Sequence, residues 1–350
     1  MTPTPSPDDA ERLALIEVGR ARTAEREGRA ADAVAAYEKA LDTLEASDNA
    51  SLIAMVLRRK GNVHLHRGET KEAEILYRES LARCEDCGHT AGLASALNCL
   101  ASVVQRHGDL AEAEELYRRA AHAAVASNET RLSGIVEQNL AILASLRGDW
   151  ELALAAYERS LDAFDTIGDE EAASWVLNNL GQLHSERGEP ELAERAFARA
   201  RSIAGSRGDT LVESTVEQNF AELLVAQGRL DEAMVACERA LALATQRGDR
   251  LRRAGSLKLR ARIERDCRDY DAAIGSLAEA CELARAAEDS ILEAELLCEV
   301  GEVWRQRGER GVAGAVWSEA LATFNRVGAK RAAVDTAALI SGSERPAPLR

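Results

Sequence analysis

The sequence predicts an all-α chain built as an array of eight helix-turn-helix repeats, and three observations predict it. Gly28, Gly68, Gly108, Gly148, Gly188, Gly228 and Gly308 lie 40 residues or a multiple of 40 apart, with Arg268 in the one missing place. Five residues after each of these eight positions stands alanine: Ala33, Ala73, Ala113, Ala153, Ala193, Ala233, Ala273 and Ala313. Proline, which breaks helix interiors, occurs only at positions 3, 5, 7, 190, 346 and 348, and Pro190 falls where a helix can begin. At 350 residues the chain is too long for one simple core, which fits an array better than a single globule.

Residues 1–8, rich in Pro and Ser, are expected to form a disordered tail, and residues 9–328 to form the eight repeats. After each loop glycine a helix B follows, with its buried face at helical spacing, as in Ala153, Ala156, Tyr157, Ser160 and Leu161. That spacing leaves Ala155 on the exposed face. Nine residues after the glycine come Tyr37, Tyr77, Tyr117, Tyr157, Phe197, Cys237, Leu277 and Trp317, and three further on a small residue recurs in all eight. A second stop follows at Asp48, Gly88, Asn128, Gly168, Gly208, Gly248, Asp289 and Gly328, where Gly supplies a left-handed end and Asp or Asn can cap the next helix. Helix A then runs to the next loop glycine, carrying Val63, Val103, Leu143, Leu183, Leu223, Ile263 and Val303 at one unbroken aliphatic position. Repeat four places helix A near 129–147 and helix B near 150–167. Residues 329–340 read as a short capping helix and 341–350 as a second disordered tail.

A net charge of −15 and a pI near 5.1 exclude a non-specific nucleic-acid binder, which needs surplus Lys and Arg to displace phosphate counterions. No run approaches the length of a membrane span, and no leader-like apolar segment opens the chain. Seven cysteines, an odd number scattered through helices, read as reduced thiols of a cytoplasmic protein.

Leu177-x2-Leu180-Gly181-x2-His184, followed by Ala193-x3-Phe197-x2-Ala200, resembles the tetratricopeptide repeat (TPR) pattern W-x2-L-G-x2-Y and A-x3-F. The resemblance covers roughly residues 9–328. Two departures stand out. The period is 40 where the family has about 34, and the first motif position, mostly Leu here, is Glu137 and Glu217 in two repeats. The resemblance implies a right-handed α-solenoid, a superhelix whose A helices line a concave groove. The 40-residue form is similar to arrays in asymmetric-division scaffolds, kinesin light chains and the sensor tails of large bacterial transcription activators.

In that family the two residues before the Leu-Gly pair point into the groove. Here they give Arg58 and Arg59 at one end, then Asn98, Gln138, Asn139, Asn178, Asn179, Gln218 and Asn219, then Lys258. One turn on stand Gln182, Arg262 and Arg265, and Trp175 lies three residues before Asn178. An amide both donates and accepts, so this ladder can pair with the backbone of an extended peptide; alternatively the amides bond neighbouring helices. The basic ends favour a partner with acidic side chains or a free C-terminus.

Cys84, Cys87 and His89 supply three potential metal ligands, but no second pair closes a tetrahedral site, and a core role for Cys84 is the simpler reading. His64 and His184 replace the motif tyrosine and read as packing residues. Each glycine stands alone in a helix-to-helix turn, so none builds a phosphate-cradling loop, and no catalytic constellation emerges. The sequence therefore points to a non-enzymatic, cofactor-free and metal-free scaffold or adaptor that binds a protein or peptide in its groove. The alternative is a regulatory sensor array whose ligand changes superhelix curvature for a transcription or signalling partner. Neither reading needs nucleic acid or a membrane.

Overall fold

The computed structural model describes residues 6–45 and 47–342, and among them the secondary structure is entirely helical. The A helices are α1 (Pro7–Arg26), α3 (Ala50–His66), α5 (Thr90–His107), α7 (Thr130–Arg147), α9 (Glu170–Glu186), α11 (Thr210–Ala226), α13 (Arg250–Asp266) and α15 (Ser290–Arg307). The B helices are α2 (Ala30–Leu44), α4 (Thr70–Cys87), α6 (Leu110–Ala126), α8 (Trp150–Ile167), α10 (Pro190–Arg207), α12 (Leu230–Gln246), α14 (Tyr270–Ala286) and α16 (Arg310–Val327). Helix α17 (Lys330–Ser341) follows. Of the two expected tails, residues 1–5 and 343–350 lie outside the described residues, while Pro7 and Asp8 already belong to α1.

The helices sort into two compact units that divide between Asp169 and Glu170, the first holding α1–α8 and the second α9–α17. Within each repeat A packs on B, and each B helix packs on the next A helix of its unit. A helices also touch the next A helix, as α3 does α5, α5 does α7, α9 does α11 and α11 does α13, whereas no B-to-B contact of that extent occurs among the described residues. The A layer is therefore the more closely spaced of the two, which makes its free side the inner face of each unit.

The repeated alanines explain why A and B approach so closely. All eight are 0% exposed, and the side chains four residues later, aromatic in six repeats and Cys237 and Leu277 in the other two, are buried as well. In three repeats the facing A helix carries glycine, and a Cβ at Gly61, Gly181 or Gly301 would come within 2.6, 2.5 or 2.3 Å of Tyr77, Phe197 or Trp317. The small residue after the aromatic is functional in packing too: Ser80 Oγ donates to the carbonyl of Ala54 at 2.8 Å and Ser160 Oγ to that of Gly134 at 2.7 Å. The aliphatic series from Val63 to Val303 is buried throughout. Ala155 is half-buried, not exposed as its spacing suggests, because residues on both sides of the B-helix stripe are partly covered.

Backbone conformation accounts for the punctuation. The loop glycines adopt φ between +72° and +97°, the left-handed region where a Cβ is strained, and Arg268 is held there at +65°. Asn128 and Glu288 take the same conformation at the second stop, and Asp209, Asp249 and Asp289 then cap the following A helices through their carboxylates. Among the described residues no helix is long and apolar enough to cross a membrane.

Candidate functional site

The inner face of the first unit opens into a cavity of about 430 Å3 that spans three successive A helices. Helix α3 contributes Ser51, Met55 and Arg58, α5 contributes Ser95, Asn98 and Cys99, and α7 contributes Leu132 and Ile135. On each helix these positions recur at three- and four-residue steps, so a single stripe of every A helix lines the wall. Met55, Leu132 and Ile135 make part of the lining apolar; the rest carries hydroxyl, amide, guanidinium, thiol and imidazole groups and the Glu129 carboxylate.

Arg58 dominates the electrostatics. It is half-buried, and among the described residues no carboxylate lies within ion-pair distance of it, unlike Arg131 of the same lining, whose Nε reaches Asp169 at 2.8 Å. Its neighbours are the thiols of Cys84 and Cys99. Burial pushes the Cys84 thiol up to about 11 and raises that of Cys99 as well, with the Arg58 charge partly opposing both shifts. Both sulfurs therefore stay neutral, and the guanidinium has no ion-pair partner among the described residues, although the Glu129 carboxylate lines the same cavity. Such a group selects carboxylate or phosphate oxygens through its fixed fork of donors.

The amide ladder has a defined hydrogen-bond pattern within each unit. Asn139 Nδ2 donates to Asn98 Oδ1 at 2.9 Å, and in the second unit Asn219 Nδ2 donates to Asn178 Oδ1 at 2.8 Å. Both bonds join residues 41 apart, linking the first position of one pair to the second position of the next. Asn178, only 3% exposed, also approaches Asn179 at 3.4 Å. These amides thus tie neighbouring A helices together, while each Asn has more donor and acceptor capacity than one bond uses.

The other candidates are distributed as follows. Gln138 is half-buried on α7, and Arg59, which is not part of the lining, sets its Nε on the sulfur of the lining residue Met55 at 3.1 Å. In the second unit Trp175 and Gln218 are half-buried and Gln182 is exposed. Lys258 reaches Glu295 at 3.3 Å and Arg265 reaches Glu299 at the same distance, so acidic neighbours on α15 offset both cations. Arg262 is half-buried with no carboxylate partner among the described residues.

Sequence reasoning selected Trp175 but passed over Met55, Ser95 and Ile135, which precede it in the same 40-residue series; that step alone could have found the cavity wall. His64 and His184 also do more than pack. Their Nδ1 atoms meet Glu69 and Glu189 across the loop at 2.6 and 2.7 Å, and the bond from His184 holds the Glu189 carboxyl below its usual range. The signal was a histidine followed five residues later by glutamate, a spacing that His107 and Glu112 share although His107 lies against Glu74 instead. Cys84 is buried, Cys87 exposed, and His89 Nδ1 accepts the Gly92 N–H at 3.2 Å as the cap of α5.

Comparison with known proteins places this geometry. The tetratricopeptide repeat family model matches residues 12–86, 52–124, 92–166 and 131–206, together more than half of the chain. No curated protein sequence matches it. Among solved structures, the apo form of the quorum sensor NprR from B. thuringiensis has a TM-score of 0.67 at 13% identity, over 90% of this chain and 88% of that one. A Rap protein complexed with competence and sporulation factor has a TM-score of 0.60 at 11% identity, over 95% and 97%. BtubC from P. vanneervenii gives 0.52 at 21% identity, over 69% and 92%. At these identities the likeness is one of fold. No catalytic family is indicated. With residues 12–206 matched in sequence and its helix pairs packed as the motif requires, the chain belongs to the tetratricopeptide repeat family.

Proposed function

We propose that this protein is an interaction scaffold that binds an extended peptide or protein segment on its inner, A-helix face, with the cavity of the first unit as the anchor. The observation that carries this reading is Arg58, a half-buried guanidinium without a carboxylate partner, set in a cavity of about 430 Å3 beside Asn98. Burying part of a cation with no counterion costs stability unless a ligand repays it. A ligand that offers a carboxylate to Arg58, backbone groups to Asn98 and an apolar side chain to Met55, Leu132 and Ile135 satisfies all three surfaces. An acidic side chain and a free C-terminus both meet the first requirement. The Rap protein complexed with competence and sporulation factor supports the reading to the extent that its fold, similar to this one, holds a ligand.

The test is capture of a partner on the immobilised protein, mapping of the bound segment, and calorimetry with that segment. Arg58→Gln should weaken binding by about 1.5–3 kcal/mol, the worth of a hydrogen bond to a charged group, and binding by the unchanged protein should fall with added salt. Asn98→Ala should cost about 0.5–1.5 kcal/mol. Unchanged affinity in a folded Arg58→Gln, Asn98→Ala double variant would remove the inner-face reading.

A further inference from the structure

The second unit holds a buried carboxylate that the inner face does not use. Glu217 on α11 takes the motif position filled by leucine at Leu57, Leu97, Leu177, Leu257 and Leu297, and it is 1% exposed. Two other repeats also carry glutamate there, and both are ion-paired: Glu17 with Lys39 and Arg20, each at 2.7 Å, and Glu137 with Arg159 at 2.7 Å. Glu217 is different. Arg201 and Arg239 both lie on Oε1, at 3.4 and 3.7 Å, as the two cations of Glu17 do, but here Oε2 is buried without any hydrogen-bond partner.

That orphan carboxylate lines a cavity of about 130 Å3 between α10 and α11, on the side away from the inner face. Phe197 and Phe220 form its aromatic wall, their ring centres 6.2 Å apart, and Val216 adds to the apolar lining. Arg201 rests over the Phe220 ring at 5.7 Å. Glu194 at the rim is bonded to Arg229 and Gln227. The lining therefore offers two carboxylates, one cation, aromatic faces and one acceptor atom in want of a donor. Its volume suits one slender side chain and not a drug-sized ligand. A metal ion needs more ligands than these, and among the described residues no group of three or more His, Cys, Asp or Glu is close enough to hold one.

We propose that this cavity receives a primary ammonium, the end of a lysine side chain on a protein partner docked at the B-helix side of the second unit. The alkyl stem packs on Phe197, Phe220 and Val216, while the ammonium gains from the negative ring faces and takes Glu217 as its counterion, by a turn of that side chain that brings the solvent-closed Oε2 to the cavity. The planar guanidinium of Arg201, held over Phe220, reaches only Oε1, and a compact ammonium suits the remaining oxygen. The site is independent of the inner-face reading.

The test is a methyl-NMR titration of the full chain with n-butylammonium as the probe and n-butanol as its neutral counterpart, observing Ala198 and Val216. The unchanged protein should show saturable shifts with n-butylammonium and bind n-butanol at least about tenfold more weakly, the fold-change a charge-assisted hydrogen bond carries. Glu217→Gln should remove that preference. Glu217→Leu, which installs the side chain five sister repeats already use, should keep the fold and abolish ammonium binding. Equal binding of the two probes, ammonium binding that survives Glu217→Leu, or no shift at either methyl would each overturn the proposal.

Discussion

At the scale of single residues, the repeat supplies its own controls. Arg268 sits at φ +65° where seven sister loops have glycine. A left-handed non-glycine residue costs about 1–2 kcal/mol, part of which glycine gives back through the greater freedom of its unfolded chain. Arg268→Gly should therefore stabilise the protein by about 0.5–1 kcal/mol, read as a higher denaturation midpoint; a lower midpoint would show that the arginine side chain matters more than its backbone. Glu217 makes the opposite kind of exception. Burial raises its carboxyl above the usual range, opposed by Arg201 and Arg239 and reinforced by Glu213. The charged form is thus disfavoured in the folded state, a cost present above the folded pKa and relieved as pH falls through it. Glu217→Leu should stabilise by about 1–3 kcal/mol at neutral pH, and the gain should shrink as urea titrations are repeated at progressively lower pH.

At the scale of helices, stability depends on matched small and large partners across the A–B contact. Gly301 on α15 faces Trp317 on α16, whose Nε1 also donates to the Cys298 carbonyl at 3.0 Å. Gly301→Ala puts a methyl where the indole lies, and overpacking of this kind costs about 1–3 kcal/mol. A second change, Trp317→Leu, should recover part of the loss, since Ala261 and Leu277 already form that pair in the preceding repeat. If the double variant is no better than the sum of the singles, the clash is not the cause. Helix α6 offers a parallel comparison. Ala113→Leu, at a 0% exposed position, should lower the melting temperature, whereas Ala111→Leu on the exposed side of the same helix should leave it nearly unchanged.

At the scale of the whole molecule, each helix pair covers its neighbour within its unit, so the stability of each unit is close to a sum of repeat and interface contributions. Helix α17 closes the last repeat, packing Ala333 against Phe324 and Ala320 and placing the Thr336 hydroxyl 3.5 Å from the Cys298 sulfur. Ending the chain after Gly328 should expose Phe324 and lower the melting temperature, with circular dichroism still largely helical. An unchanged melting temperature would show that α17 is dispensable.

The helices, their order and their ends were legible in the sequence because they rest on local chemistry: glycine where φ is positive, alanine where two backbones approach, apolar residues at helical spacing. The 40-residue step repeats each of these decisions, so chance agreement is excluded. The same step located the stripe from which the candidate site is drawn. What it could not supply is which members of the stripe are already spent. Asn98 and Asn139, or Asn178 and Asn219, are identical to the eye in sequence, and only the packing of successive A helices brings them to hydrogen-bond distance across 41 residues. Likewise Lys258, Arg265 and Arg58 look alike as basic residues of one face, yet the first two meet carboxylates on the neighbouring helix and the third meets none. Sequence determines which groups exist and which face of a helix they occupy; whether a charge or an amide is left free for a ligand depends on distances between helices, which tertiary packing alone decides.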